Sequence, residues 1–294
     1  MTPADATSAP PRSMLRAVGD LREGISHRQL WAHLGWQDIK QRYRRSVIGP
    51  LWITISMGVT SLGLGLLYGL LFKHPLPLFL PYVTTGFIVW GFINGCIVEG
   101  MDTFISNEGL IKHLPAPLTV YALRTVWRQV LMFLHNIAIY LIITAIFFTS
   151  LDHPYSLDPG GIMNPGIGLW SISAVLGFVL LAANGLWLTL LFGIISTRYR
   201  DIPQVINSLI QLAFYLTPII WSPDDLFANG KHSGAEIVFQ LNPLYHFVQI
   251  VRAPLTGQAI SPLSWLVVGG ITIVGWALAL VALRNYRARV SYWV

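Results

Sequence analysis

Residues 51–72 read LWITISMGVTSLGLGLLYGLLF, twenty-two positions without one Asp, Glu, Lys or Arg. As a helix rising 1.5 Å per residue, this stretch is about 33 Å long, enough to cross the ~30 Å hydrocarbon core of a bilayer. Working outward, the uncharged run that contains it extends for 27 residues between Arg45 and Lys73. Five more follow: 25 residues between Lys73 and Glu99, 23 between Arg128 and Asp152, 39 between Asp158 and Arg198, 22 between Asp201 and Asp224, and 31 between Arg252 and Arg284. Each exceeds the ~18 residues that mark a spanning helix. The sequence therefore predicts an all-α integral membrane protein with six transmembrane helices, their cores near 51–72, 79–98, 128–149, 169–197, 204–221 and 263–283.

Composition agrees. The 294 residues are 54% hydrophobic and 11% charged, where soluble domains average about 25% charged. If the N-terminus is cytoplasmic, sixteen of the nineteen Lys and Arg fall on the cytoplasmic side, leaving Lys73, Lys231 and Arg252 outside. Basic residues are retained inside, so both termini are expected there. The net charge of +6 is then an orientation signal, assisted by anionic head groups of membrane lipids, and implies no nucleic-acid partner. A single cysteine, Cys96, excludes an intrachain disulfide and suggests no metal site. No apolar run precedes the Arg-rich stretch in residues 1–46, so a cleavable signal peptide is not expected.

Three regions lie outside the spans. Residues 1–25 begin with an Ala-, Pro-, Ser- and Thr-rich stretch and read as a disordered, variable cytoplasmic N-terminus. Ser26–His27–Arg28–Gln29 has the S-x-x-Q form of a helix-starting capping box. It would open an N-terminal amphipathic interface helix within 26–50, carrying Trp36, Ile39, Tyr43 and Val47 at spacings of three and four, before Gly49 and Pro50 break it. Lys40, Arg44 and Arg45 on it are placed to reach phosphates, or serve only as a basic topology anchor. The cytoplasmic connection 99–127 carries Ile105, Leu110, Ile111 and Leu114 on a short helical pattern closed by Pro115 and Pro117, with Arg124 and Arg128 snorkelling to the interface. The external region 222–262 contains an apolar run, Ile237 to Val251, too short to span. Either it dips into the membrane as a re-entrant helical segment before the last span, or it lies flat on the outer surface.

Chemistry-bearing motifs are few. A G-x-x-x-x-G-K-[ST] phosphate loop is excluded at each of the four lysines, Lys40, Lys73, Lys112 and Lys231. The six segments hold no Asp, Glu, Lys or Arg, which weakens an ion-coupled carrier. The one histidine deep in a span, His135, reads as an interhelical hydrogen-bonding residue rather than a proton relay. A membrane enzyme would need clustered polar residues. Glu99, Asp102 and Glu108 form the one dense acidic group, at a place that also fits a solvated helix end. Tyr68, Phe72, Phe87, Trp90, Phe214 and Tyr215 place rings inside spans, where they either pack between helices or offer faces to sugar rings.

The stretch Asp38 to Trp52, DIKQRYRRSVIGPLW, is similar to the D-I-K-x-R-Y-x-x-S-x-L-G-P-L-W start of the first span in the ABC-2 type permeases of polysaccharide and O-antigen exporters, with teichoic-acid exporters as close relatives; Ile48 replaces Leu. Asn107 to Leu118 resembles the family's N-x-x-L-I-K…P-x-P-L segment. Arg198–Tyr199–Arg200–Asp201–Ile202 is a third match. Thr217–Pro218–Ile219–Ile220–Trp221 with Asn242–Pro243–Leu244 and Arg252 is a fourth, all in the family's order over residues 27–290.

The resemblance implies a 51–290 transmembrane domain in a homodimer, joined to two copies of a separate ABC ATPase that binds ATP and Mg, with no cofactor in this chain. It implies that residues 105–114 dock on the ATPase, through Ile105, Leu110, Ile111 and Leu114. The implied substrate is a lipid-linked polysaccharide on a polyprenyl pyrophosphate carrier, with Arg42, Arg44 and Arg45 as phosphate contacts and the six aromatics along a glycan path. An ABC-2 exporter of another lipid or drug, or a membrane enzyme of glycolipid assembly, are the alternatives.

Overall fold

The computed structural model describes residues 12–113, 116–157, 163–223 and 239–294. Among these, five helices are long and apolar enough to cross a membrane. They are α3 (Leu51–Phe72), α4 (Leu76–Asp102), α6 (Leu118–Ile146), α8 (Ser173–Arg198, led in by a 3-10 turn from Leu169) and α11 (Pro262–Trp293). The sixth expected span is α9 (Ile202–Leu216), fifteen residues long. At about 22 Å it is shorter than the ~30 Å apolar core.

Turn chemistry sets the boundaries. Gly49, at φ +64°, and Pro50 precede α3, which ends where Lys73 turns left-handed and donates its N–H to the Gly69 carbonyl. Pro75, Pro77, Pro203, Pro243 and Pro262 all stand just before or within the first turn of a helix, where a missing N–H costs nothing. α4 is the axis of the fold and the most buried span, packed by α8, α6 and α3. Small residues bring α4 and α8 together. A Cβ at Gly100 would meet Thr189, one at Gly185 would meet Cys96, and one at Gly193 would meet Phe104, a close approach typical of helices in lipid. Polar side chains lock the next crossing: the Asn184 amide donates to Thr272 of α11 and accepts from the Trp187 indole.

The N-terminal region departs from expectation. Residues 14–25 are not disordered: Met14–Ser26 is helix α1, capped by the Ser13 hydroxyl, which accepts from the Arg16 N–H. Ser26 ends this helix rather than starting the next, its hydroxyl donating to the Glu23 carbonyl. The physical reason is tertiary. α1 buries Ala17, Asp20 and Gly24 against α6, and Asp20 accepts the backbone N–H groups of Leu118 and Thr119, so that it caps a helix to which it is not connected. α2 (Arg28–Arg42) has no side-chain cap and stops before Tyr43; Val47, expected on its apolar face, is fully exposed. α2 lies along α6, Gly35 against the Arg124 carbonyl and Trp31 edge-on to Trp127.

At one end of the bundle, α4 runs to Asp102, a turn covers 103–107, and α5 (Glu108–His113) is a short helix. α6 then begins at Leu118, ten residues before the expected core, so Arg124 and Arg128 lie inside it. On the opposite side, a short helix α7 (Phe148–Leu151) leads to a segment closed by a Tyr155–Asn164 bridge. The Tyr155 hydroxyl donates to the Thr256 carbonyl, and the Gly166 N–H donates to the Gly257 carbonyl. Both glycines have positive φ and face each other so closely that a Cβ on Gly257 would meet Gly166 at 2.5 Å.

That segment holds the C-terminal end of α10 (Pro243–Thr256). The N-terminal end of α10 lies far from it: Pro243, Leu244 and Phe247 line an apolar cavity of about 180 Å³ with Phe92, Ile97, Asn184 and Trp187. Measured along α4, Phe92 is about 24 Å from Leu76 at the start of that helix. α10 is thus packed among α4, α8 and α11, with His246, Phe247, Val248 and Ile250 to Pro254 buried. The rest of the 222–262 region, 224–238, is outside the described residues.

Candidate functional site

Five charged side chains from α2, α4 and α6 converge at the end of the bundle that carries α5. Asp38 of α2 accepts from Arg124 Nε and Nη2 at 2.9 and 2.6 Å and from Arg128 Nη1 at 2.8 Å. Arg128 turns its Nε and Nη2 to Glu99 Oε2, which also accepts from Gln129. Arg42 donates to Glu99 Oε1 at 3.3 Å. Arg124 reserves Nη1 for the Asn107 amide oxygen at 2.7 Å, in the residue that precedes α5. Burial pushes the Asp38 carboxyl up, but the hydrogen bonds and charges of Arg124 and Arg128 outweigh it and hold the group below its ordinary value. Arg124 and Arg128 are therefore fixed by carboxylates and do not snorkel freely.

The acidic residues at this end are spread over different partners: Glu99 is taken up by Arg128, Gln129 and Arg42, Glu108 pairs with Lys112 at 2.6 Å on α5, and Asp102 is exposed at the end of α4. Among the described residues no three His, Cys, Asp or Glu side chains gather as a metal site. The His135 ring hydrogen-bonds the Leu131 carbonyl of its own helix, while its backbone carbonyl accepts from the Thr54 hydroxyl of α3.

The residues expected to couple to a partner separate. Leu110 is exposed on α5, Ile111 packs back into the main core, and Ile105 is half-buried in the turn before the helix; Leu114 lies outside the described residues. Arg42, Arg44 and Arg45 do stay together. They line, with Gln41, a cleft of about 390 Å³ at the end of α2, although the helix ends at Arg42 and the other two sit in the following turn.

The six aromatics form one flank of the molecule, made by α3, α4 and α9. Tyr68 stacks on Phe72; Phe214 meets Phe87, Trp90 and Tyr215 at centroid distances of 5.9, 5.5 and 5.4 Å. Tyr68 and Phe87 pack against the same buried cluster, so the two groups are continuous. Trp90 is buried and Tyr215 is 60% exposed.

α9 adds what the sequence reading overlooked. Ile206, Ile210, Ala213 and Phe214 turn inward, while Gln204, Asn207, Ser208 and Gln211 are exposed beside an equally exposed apolar strip of Val205, Leu209, Leu212 and Leu216. Spacings of three and four put these four polar residues on one stripe, which continues to Tyr215. A polar stripe on an otherwise apolar helix is unfavourable against lipid and calls for water or protein. The spacing of three and four is present in the sequence, in amide and hydroxyl side chains that carry no charge.

Beyond the end of α9 the fourth motif closes on itself. Arg252, fully buried, donates to the Pro218 carbonyl and to Gln249, and stacks on the Tyr82 ring at 4.0 Å. The Tyr82 hydroxyl donates to the Trp221 carbonyl, and the Asn242 amide donates to the Thr217 hydroxyl. Three pieces of sequence thereby hold one non-helical segment, Thr217 to Ser222.

Five helices of membrane-spanning length, a docked N-terminal helix pair and a polar-striped helix on one flank define a polytopic helical bundle. The chain belongs to the ABC-2 type transporter family, which it matches over residues 29–256. It is 24% identical over 192 residues to an O-antigen export system permease protein RfbA of Klebsiella pneumoniae, covering 64% of this chain and 67% of that protein. A Myxococcus xanthus protein of the same name is 22% identical over 241 residues, 82% of this chain and 84% of the relative.

Proposed function

We propose that this chain is the permease subunit of an ABC exporter that carries lipid-linked polysaccharide, on a polyprenyl pyrophosphate carrier, across the bacterial inner membrane. Two copies form the pathway and two copies of a separate ATPase, holding ATP and Mg, drive it; this chain holds no cofactor. Both termini are cytoplasmic. α9 with the segment Thr217–Ser222 makes the remaining crossing, and α10 is the re-entrant element; its burial among spans and its descent from the outer segment support this.

The observation that carries the reading is the exposed polar stripe of α9 beside the aromatic flank. A hydrated path needs hydrogen-bonding groups for hydroxyls, and aromatic faces suit the C–H faces of sugar rings. The O-antigen export role named for the relatives agrees with that chemistry.

The test is glycan export, with ATPase activity, by the chain co-purified with an ATPase encoded beside it. Leu110→Asp should abolish co-purification and stimulated hydrolysis, since Leu110 is the exposed apolar residue on α5. Replacing Gln204, Asn207 and Gln211 by Leu should leave the complex intact and stop export. Glycan export that persists with no ATPase bound overturns the proposal.

A further inference from the structure

We propose that Arg42 is the release point of an ionic chain through which an anion bound in the Arg42–Arg44–Arg45 cleft shifts α5. The proposal deepens the reading above and rests on it for the identity of what docks on α5. The anion is a phosphate or pyrophosphate, whether from a lipid carrier, a bulk lipid head group or free solution.

The chain of contacts is continuous. From the cleft it runs Arg42 to Glu99, Glu99 to Arg128, Arg128 to Asp38, Asp38 to Arg124, and Arg124 to Asn107. Its first link is the weakest. Glu99 Oε2 already accepts three N–H donors at 2.9, 2.6 and 2.6 Å, whereas Oε1 holds Arg42 at 3.3 Å, longer than the ~2.7–2.9 Å of a strong charged hydrogen bond. The other contact of Arg42 is the Met132 sulfur at 4.0 Å, and its side chain is 46% exposed.

Charge favours release as well. Three arginines face two carboxylates in the network, and Arg44 and Arg45 add two more positive charges at the cleft. A phosphate offers Arg42 a bidentate partner that Glu99 Oε1 does not. Once Arg42 leaves, Glu99 draws Arg128 more fully to itself, Asp38 is left to Arg124, and the hold of Arg124 on Asn107 changes. Asp38, Arg124 and Arg128 are the least exposed members, with 14–18% of each side chain accessible, so screening by salt weakens them least. Linkage requires the reverse effect too: fixing α5 against a partner must alter anion affinity.

The experiment labels α5 and titrates the cleft. A Cβ at Gly109 would meet nothing within 4 Å, and the native Cys96 is buried, so Gly109→Cys takes a spin label selectively. The full chain in nanodiscs of neutral lipid is titrated with farnesyl pyrophosphate, with inorganic pyrophosphate, and separately by replacing the bilayer with one containing phosphatidylglycerol. Binding is measured by calorimetry and label mobility by electron paramagnetic resonance.

The expected result is a saturable change in mobility that follows binding. Arg42→Gln should weaken binding about tenfold, the loss of one charged hydrogen-bonding partner. Arg124→Gln should leave affinity within about twofold and abolish the mobility change, because the cleft is intact and the chain is cut. A response to farnesyl pyrophosphate alone assigns the cleft to a lipid carrier, one to inorganic pyrophosphate to a free anion, and one to the anionic bilayer to bulk head groups; each supports the link. Binding without a mobility change, or an unaltered response in Arg124→Gln, overturns it. Absence of any binding overturns it and the phosphate role of these arginines, while docking of an ATPase, tested separately by Leu110→Asp, stands or falls by itself.

Discussion

Asp20 is the residue whose loss should most clearly report whether α1 is part of the folded unit. Its Oδ2 accepts the Leu118 N–H at 3.2 Å, its Oδ1 accepts the Thr119 N–H at 3.0 Å and the Thr119 hydroxyl at 2.7 Å, and Arg287 of α11 approaches Oδ2 at 3.5 Å. Pro117, in the N-cap position of α6, makes no side-chain cap. Asp20→Ala therefore removes the cap of α6, a loss of about 1 kcal/mol, and leaves a second buried N–H unpaired, about 1–3 kcal/mol. The Arg287 pair adds well under 1 kcal/mol, because that arginine is more than a third exposed. A total near 2–4 kcal/mol corresponds to roughly 30- to 800-fold faster exchange of the protected amides.

Hydrogen exchange read by mass spectrometry on peptides covering 14–26 and 116–122 measures this directly. Asp20→Asn, which keeps one carbonyl acceptor, should fall between wild type and Asp20→Ala, and Arg287→Gln should move exchange by less than about fivefold. If Asp20→Ala changes neither segment by more than about threefold, or if residues 14–26 exchange in the wild type like an unfolded chain, the trans cap does not exist. The docking of α1 would then be wrong.

Two further outcomes follow from the packing. The Asp38 carboxyl is held below its ordinary value of 3.8, so the docking it supports should be complete above about pH 4 and lost only as pH falls through the lower folded value. Near-UV circular dichroism of the Trp31–Trp127 pair, with Trp31→Phe as control, should stay flat from pH 7 to 4; a transition centred above pH 5 refutes that account. Gly177 of α8 faces the Ile250 carbonyl of α10 so closely that a Cβ would collide with backbone. Gly177→Ala should cost about 1–3 kcal/mol by overpacking, seen as faster exchange across 243–256, whereas Gly269→Ala, which meets nothing within 4 Å, should be neutral or mildly stabilising. Equal effects at the two glycines would show that α10 does not pack on α8.

The paired residues Asp38, Glu99, Arg42, Arg124 and Arg128 tie α2, and through Asn107 the start of α5, to α4 and α6. A single Arg, Arg124, touches both helices through Asp38 and Asn107, so any force on α5 is felt at α2 without passing through the apolar core.

The sequence by itself determined that this is a helical membrane protein, because the cost of burying charge in hydrocarbon writes long uncharged runs directly into the chain. It determined the order of the apolar segments and the family, through the motif Asp38 to Trp52, in which Gly49 and Pro50 set a helix start by local turn chemistry alone. Only the tertiary structure decided that Asp20 caps α6 from 98 positions away, that Arg124 and Arg128 bind carboxylates from other helices, and that Ser26 ends a helix instead of beginning one. These are choices between partners distant in the chain, where local propensity is nearly neutral and a few hydrogen bonds across an interface tip the balance. α9 falls between the two. Its polar stripe was written in the spacing of Gln204, Asn207, Ser208 and Gln211, but that it faces outward beside the aromatic flank depended on which side Ile206 and Ile210 found to bury.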